Sequence, residues 1–200
     1  MGEIMKIVLA TGNSHKVEEI NLISKAQGVE FILPSTKDFN PIEDGKTFLE
    51  NAYCKAKYAS LYSEGNFFLA DDSGLCVEAL DDTPGIYSAR YAPSPKERIE
   101  KLLFNMKDKK NRNAKFVCAM VLVNKKGEIL FQTQGVCKGL ITEKPDGQNG
   151  FGYDPIFYIP EKNMTMASLS DVEKSKTSHR SSALNEVLSW IKENKEKLNG

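Results

Sequence analysis

Two hundred residues, 40% hydrophobic and 27% charged, suit one domain with a sizeable core and exclude a disordered or low-complexity chain. Lysine plus arginine equals aspartate plus glutamate at 27 each, so the chain lacks the basic excess of a protein that grips long nucleic acids through their phosphates. No stretch approaches the ~20 apolar residues that cross a bilayer and the N-terminus carries no cleavable signal pattern, so the expectation is a cytoplasmic protein with neither membrane nor nucleic-acid polymer as partner.

Lys6 to Ala10 reads as a short buried strand, TGNSHK as a loop, and Val17 to Ala26 as a helix with Val17, Ile20 and Ile23 on one side, ended by Gly28. Met5 offers an alternative start for the chain. Glu30 to Leu33 is a second strand, and Pro34 to Gly45 is irregular. In TFLENAYCKAKYASLY, Thr47 and Glu50 form a T-x-x-E capping box, and Phe48, Ala52, Ala56 and Ala59 recur at helical spacing. Small alanines let such a helix approach a sheet closely. Phe67 to Ala70 and Cys76 to Leu80 read as two short strands separated by DDSG, and DDTPGIYSARYAPSP as a loop. Pro95 opens a helix carrying Ile99, Leu102 and Leu103.

Lys115 to Val123 and Glu128 to Val136 are long β-rich runs joined through Asn124 to Gly127, a β-hairpin pattern. Lys144 to Pro155 is too rich in glycine and proline for regular structure, and Ile156 to Ile159 is a strand. Ser170 to Glu173 caps a short helix, and Ser181 to Leu198 forms a long one with Ala183, Val187, Leu188 and Ile191 inward. Strands mixed with helices, some joined as hairpins, give an α/β fold with a mixed sheet. Cys54, Cys76, Cys118 and Cys137 are far apart and form no CxxC pair, so reduced, buried thiols are expected.

Several segments carry chemistry. Asp71 and Asp72 follow an apolar run, and two ionised carboxylates in a dry interior need a cation or water. A hard divalent metal such as Mg2+, bound by one or two carboxylates together with substrate phosphates, answers that need. A solvated turn over Asp71 to Gly74 answers it equally well. TGNSHK, Thr11 to Lys16, lies between strand and helix, where open backbone N–H groups favour a phosphate and Lys16 adds charge; a plain helix cap by Asn13 or Ser14 is the alternative. It is not a P-loop, since His15 and Val17 stand where that motif needs glycine and a hydroxyl. Glu50 has its capping role, which leaves Glu43 in PIEDG as the freer metal ligand. His15 and His179 lack the spacing of a zinc site. KSKTSHR, Lys174 to Arg180, reads by default as a solvated charged face, although His179 and Arg180 near an aromatic plate such as Phe151 could read the edge of a stacked base.

The ordered series TGNSHK, EDGKTFLENAYCKA, ADDSGL, PGIYSARYA, GFGYDPIF and KSKTSHR, from Leu9 to Arg180, resembles the inosine triphosphate pyrophosphatase family. That resemblance implies one domain over residues 1–200 with an elongated mixed β-sheet flanked by helices and a substrate cleft between two lobes. It implies Mg2+-dependent hydrolysis of ITP, dITP and XTP to nucleoside monophosphate and pyrophosphate, and a homodimer. It also implies roles: Thr11, Gly12, Asn13, Ser14, His15 and Lys16 on the triphosphate; Glu43 and Asp72 on the metal; Asp72 as general base; Ser73 on substrate. Phe151, Gly152, Tyr153 and Asp154, with Lys174, His179 and Arg180, would hold the base, and Asp71 and Glu50 are further acidic candidates. Other classes compatible with the residues are a catalytically silent nucleotide sensor and a pyrophosphatase of modified pyrimidine triphosphates. An aspartyl-phosphate phosphatase lacks its DxD pattern here.

Overall fold

The computed structural model describes residues 4–12, 14–24, 27–36 and 39–198. In chain order its elements are β1 (Met5–Leu9), α1 (Ser14–Ser24), β2 (Val29–Ile32), α2 (Phe48–Tyr62), β3 (Phe67–Val77), β4 (Thr83–Pro84), α3 (Pro95–Asn105), β5 (Asn113–Asn124), β6 (Ile129–Ile141), β7 (Phe157–Ile159), β8 (Met164–Thr165), α4 (Asp171–Thr177), α5 (His179–Glu193) and α6 (Lys195–Leu198). Short 3-10 turns occupy Gly85–Arg90 and Asp154–Ile156, among others. The sheet runs β2-β1-β3-β5-β6-β7-β8, with β4 against β3. It is mixed: β1 pairs in parallel with β2 and β3, whereas β3–β4, β6–β7 and β7–β8 are antiparallel.

The chain forms two compact units. The first comprises Met1–Asp72, Cys118–Gly135 and Arg180–Gly200, the second Ser73–Val117 and Val136–His179. In the first, strand alternation sorts side chains cleanly onto two faces. Ile7, Leu9, Leu69, Met120 and Leu122 pack with Ile20 of α1 and Ala183, Leu184, Val187, Leu188 and Ile191 of α5. Their neighbours Val8, Ala10, Phe68, Ala70, Val121 and Val123 pack with Ala52, Ala56 and Ala59 of α2. The expected inward residues of α1 and α5 are therefore the observed ones, as are the three alanines of α2, but Phe48 is not among them and Leu49 and Tyr53 pack there instead. In the second unit, Leu75, Val77, Phe116, Ile141 and Phe157 pack with Leu102 and Met106, and Ile99 and Leu103 of α3 join their edge.

Local caps explain the helix starts. Thr47 Oγ1 accepts the Glu50 N–H, but Glu50 Oε2 accepts from Lys46 N–H at 2.6 Å, so the expected reciprocal box at α2 is only half made. Complete capping boxes occur at Ser94/Glu97, with Pro95 inside α3, and at Ser170/Glu173. The hairpin between β5 and β6 turns where expected, with Asn124 N–H donating to Glu128 O.

Three further expectations fail in this part of the fold. The two short strands around DDSG are one eleven-residue strand, β3, and Asp71 and Asp72 are 1% and 8% exposed. Neither a strand end nor a solvated turn exists there. The final helix begins at His179, not Ser181, and is interrupted at Asn194, with α6 following. KSKTSHR is not a solvated face as a whole: Ser178, His179 and Arg180 are buried. None of the four cysteines is in a disulfide; Cys76, Cys118 and Cys137 are buried, and burial pushes the Cys76 and Cys137 thiols up to about 11.

Gly139 in β6 marks a close backbone approach: an added Cβ would lie 2.5 Å from the Tyr158 carbonyl oxygen and 2.7 Å from the Phe157 ring. Gly139→Ala is expected to destabilise the protein by about 1–3 kcal/mol through overpacking, read as a lower urea midpoint.

Candidate active site

Adjacent residues of a strand point to opposite faces, and Asp71 and Asp72 obey this with opposite partners. Asp71 follows Leu69 onto the α1 and α5 side. There Lys16 Nζ lies 3.1 Å from Oδ1 and 2.9 Å from Oδ2. Arg180 Nε and Nη2 each reach Oδ2 at 3.4 Å, and Cys118 Sγ lies 3.9 Å away. Asp72 follows Ala70 onto the α2 side. Lys55 Nζ donates to its Oδ1 at 2.8 Å and Asn51 Nδ2 to its Oδ2 at 3.3 Å. The same ammonium stands 3.6 Å from Glu43 Oε2.

These pairings tune the two carboxyls in opposite directions. Burial alone would raise Asp71, but Lys16, Arg180 and Lys55 override it and hold the group well below the usual carboxylate range. At Asp72 burial is again the largest influence and here it prevails; Lys55 and Lys16 oppose it, Glu43 adds to it, and the carboxyl stays above its ordinary value. Burial would lower Lys55, yet Asp72, Asp71 and Glu43 together raise it, so it is held as a cation. A buried carboxyl shifted upward beside a fixed cation is a candidate proton acceptor.

The segment before α2 is tied down to present Glu43. Gly45 N–H donates to Asn51 Oδ1 at 2.9 Å, and Lys46 N–H to Glu50 Oε2. Glu50 is thus engaged with the loop backbone one residue before the cap position that its motif suggested. Among the described residues no three His, Cys, Asp or Glu side chains gather as a metal cluster. Glu43 and Asp72 both direct carboxylate oxygens at the Lys55 ammonium, and hard oxygens of this kind are the donors that Mg2+ takes together with phosphate and water.

Of the residues expected on the triphosphate, Thr11 is buried at the end of β1, Gly12 is exposed beside it, and Lys16 is committed to Asp71. Asn13 lies outside the described residues, as do the side chains of Ser14 and His15. The base-binding candidates other than Arg180 fall in the second unit, as does Ser73. Phe151 is 37% exposed, with Lys174 Nζ 4.7 Å from its ring centroid. Asp154 Oδ2 accepts from Lys174 Nζ at 2.8 Å and from the Phe151 N–H at 2.9 Å, which fixes the plate. Gly152 sits at φ +64 with open space around it. His179 stacks on Phe116, centroids 4.9 Å apart. Tyr153 differs from expectation: its ring is in the core and its hydroxyl donates to Ser88 O at 2.9 Å. Arg180 is brought to Asp71 in the first unit.

Lys55 and Asn51 were not singled out from sequence. The available signal was their spacing with Ala52, Ala56 and Ala59, which puts a lysine and an amide on the buried face of α2.

A model of the Ham1 family matches residues 7–190. The chain belongs to that family. It is 42% identical over 182 residues to a dITP/XTP pyrophosphatase of Synechocystis, covering 91% of this chain and 93% of that one. Among solved structures it resembles a HAM1 protein from Coxiella burnetii, with a TM-score of 0.86 and 38% identity over 94% of this chain and 99% of that one. The Ham1 protein of Staphylococcus aureus is similar, with a TM-score of 0.84 and 39% identity over the same shares. The expected fold class, a mixed α/β sheet flanked by helices, is that of these Ham1 structures.

Asp71→Asn leaves Lys16 and Arg180 buried without their anion and is expected to cost about 3–5 kcal/mol at neutral pH. The folded carboxyl lies below its unfolded value. Its contribution is therefore full above the ordinary range near about pH 4 and declines as the pH falls toward the lower folded value. Urea midpoints of wild type and variant should accordingly draw together on acidification.

Proposed function

We propose that this chain hydrolyses noncanonical purine nucleoside triphosphates, ITP, dITP and XTP, to the nucleoside monophosphate and pyrophosphate, clearing them from the nucleotide pool. The observation that carries this reading is the buried Asp72, held by Lys55 and Asn51 with Glu43 on the same cation, in a chain of the Ham1 family. Relatives bearing the name dITP/XTP pyrophosphatase supply the substrate class.

Asp72 accepts the proton of the water that attacks the phosphate chain between its first and second phosphates, so that one water is consumed and pyrophosphate leaves. Glu43 and Asp72 would hold a Mg2+ ion, which would supply charge neutralisation at the phosphate oxygens. Lys55 keeps the two acidic side chains directed at a common point. Thr11 to Lys16, at the start of α1, take phosphate oxygens through backbone N–H groups and the Lys16 ammonium. Arg180, on the same carboxylate as Lys16, adds positive charge there.

Phe151 offers the stacking plate, and Lys174, Asp154 and His179 supply fixed polar groups for the purine edge. Hypoxanthine and xanthine carry a carbonyl where adenine carries an amino group. A donor that pairs with the former faces another donor in the latter, at about 1–3 kcal/mol per buried unpaired group. Ser73 contacts substrate in this scheme. Residues 1–200 act as one pyrophosphatase domain and as a homodimer, which resemblance to the family supports, and work in the cytoplasm, an expectation that rests on the sequence reading of the N-terminus. No helix among the described residues is long and apolar enough to cross a membrane.

A panel of ITP, dITP, XTP, ATP and GTP, each with and without Mg2+, tests the reading. Metal-stimulated pyrophosphate release from the first three is expected; orthophosphate as the product overturns it. In the same assay Asp72→Asn should lose roughly 10²–10⁴-fold in turnover while remaining folded.

A further inference from the structure

We propose that Asn51 is a positioning residue that locks Asp72 and the segment bearing Glu43 into one ligand set for the divalent cation. The inference deepens the reading above and rests on it. Asn51 is 0% exposed, in the first turns of α2. Its Oδ1 accepts the Gly45 N–H at 2.9 Å, two residues along from Glu43, and its Nδ2 donates to Asp72 Oδ2 at 3.3 Å.

An amide has one acceptor end and one donor end. Here the Gly45 N–H dictates which end is which, so the donor must face the carboxylate. Lys55, one helical turn on from Asn51, holds the other oxygen of Asp72. The plane of the carboxylate is therefore fixed at both oxygens from one helix face, and one of those two contacts also fixes the loop that carries Glu43.

Simple loop anchoring does not explain the arrangement, because the Lys46 N–H to Glu50 Oε2 bond already ties that loop to the same helix end. Nor is Gly45 incidental. A Cβ there would lie 2.7 Å from Asn51 Oδ1 and 2.9 Å from Asn51 N, so the approach that makes the amide bond requires a residue without a side chain. Groups that orient metal-binding carboxylates in this manner govern cation affinity without touching the cation, typically by roughly 10–100-fold.

The experiment compares wild type, Asn51→Leu and Gly45→Ala. Asn51→Leu removes both hydrogen bonds at similar volume; Gly45→Ala forces the loop off an intact Asn51. For each, calorimetry measures Mg2+ binding to the substrate-free protein, hydrogen exchange follows the residue-45 amide, the urea midpoint reports the fold, and pyrophosphate release gives half-saturating Mg2+ and KM for ITP. In folded variants half-saturating Mg2+ should rise roughly 10–100-fold, with faster exchange at residue 45 and KM for ITP at saturating Mg2+ within about twofold of wild type. If Asn51→Leu does not fold, Gly45→Ala decides. Wild-type Mg2+ dependence in either folded variant overturns the inference alone. No Mg2+-stimulated pyrophosphate release by wild type removes the functional reading, and this inference with it.

Discussion

A strand repeats every two residues, and the candidate site of this protein depends on that fact at Asp71 and Asp72. Side by side in β3, they face away from each other, and each meets cations on different helices: Lys16 and Arg180 for the first, Lys55 for the second. One carboxylate on each face gives each its own contacting cations, although Lys16 and Lys55 also act electrostatically on both. Asp71 can then be strongly ionised and structural while Asp72, a single residue away, keeps the raised affinity for a proton that suits a base.

Such charges are costly to bury, and a buried ion pair is often no more stabilising than a packed apolar pair. Their retention here makes sense as placement. Asp71 ties the start of α1, where phosphate would bind, to the start of α5 through Lys16 and Arg180. On the other face α2 carries Asn51 and Lys55 one turn apart, and both reach Asp72. The alanines that flank them let that helix sit close enough for an amide and an ammonium to reach a strand carboxylate.

Much of this was legible in the sequence, where the pattern had a period. The inward faces of α1, α3 and α5 and the alanine face of α2, though not Phe48, followed from apolar spacing, and the cap at Ser170 from its S-x-x-E signature. The continuity of β3 was not legible, because Asp-Asp-Ser-Gly is the composition of a turn and only partners distant in sequence keep it extended. Lys55 was hidden for a related reason: lysine is rarely buried without a partner, and its partners, Glu43 and Asp72, lie on other elements. Tyr153 runs the other way. It stands in the aromatic motif that suggested a base pocket, yet its hydroxyl is occupied by the Ser88 carbonyl. The ordered motifs identified the family, but not which members of each motif are spent on holding the fold.

The continuity of β3 also limits how the gene can change. Losing one residue between Leu69 and Asp71 would shift every later side chain to the other side of the sheet. The carboxylate now beside Lys55 would turn toward Lys16 and Arg180, and its neighbour toward α2. A shortening by one codon would thus swap the partners of the two acids while leaving composition almost untouched, so length in this stretch matters more to the arrangement than the identity of any single apolar residue within it.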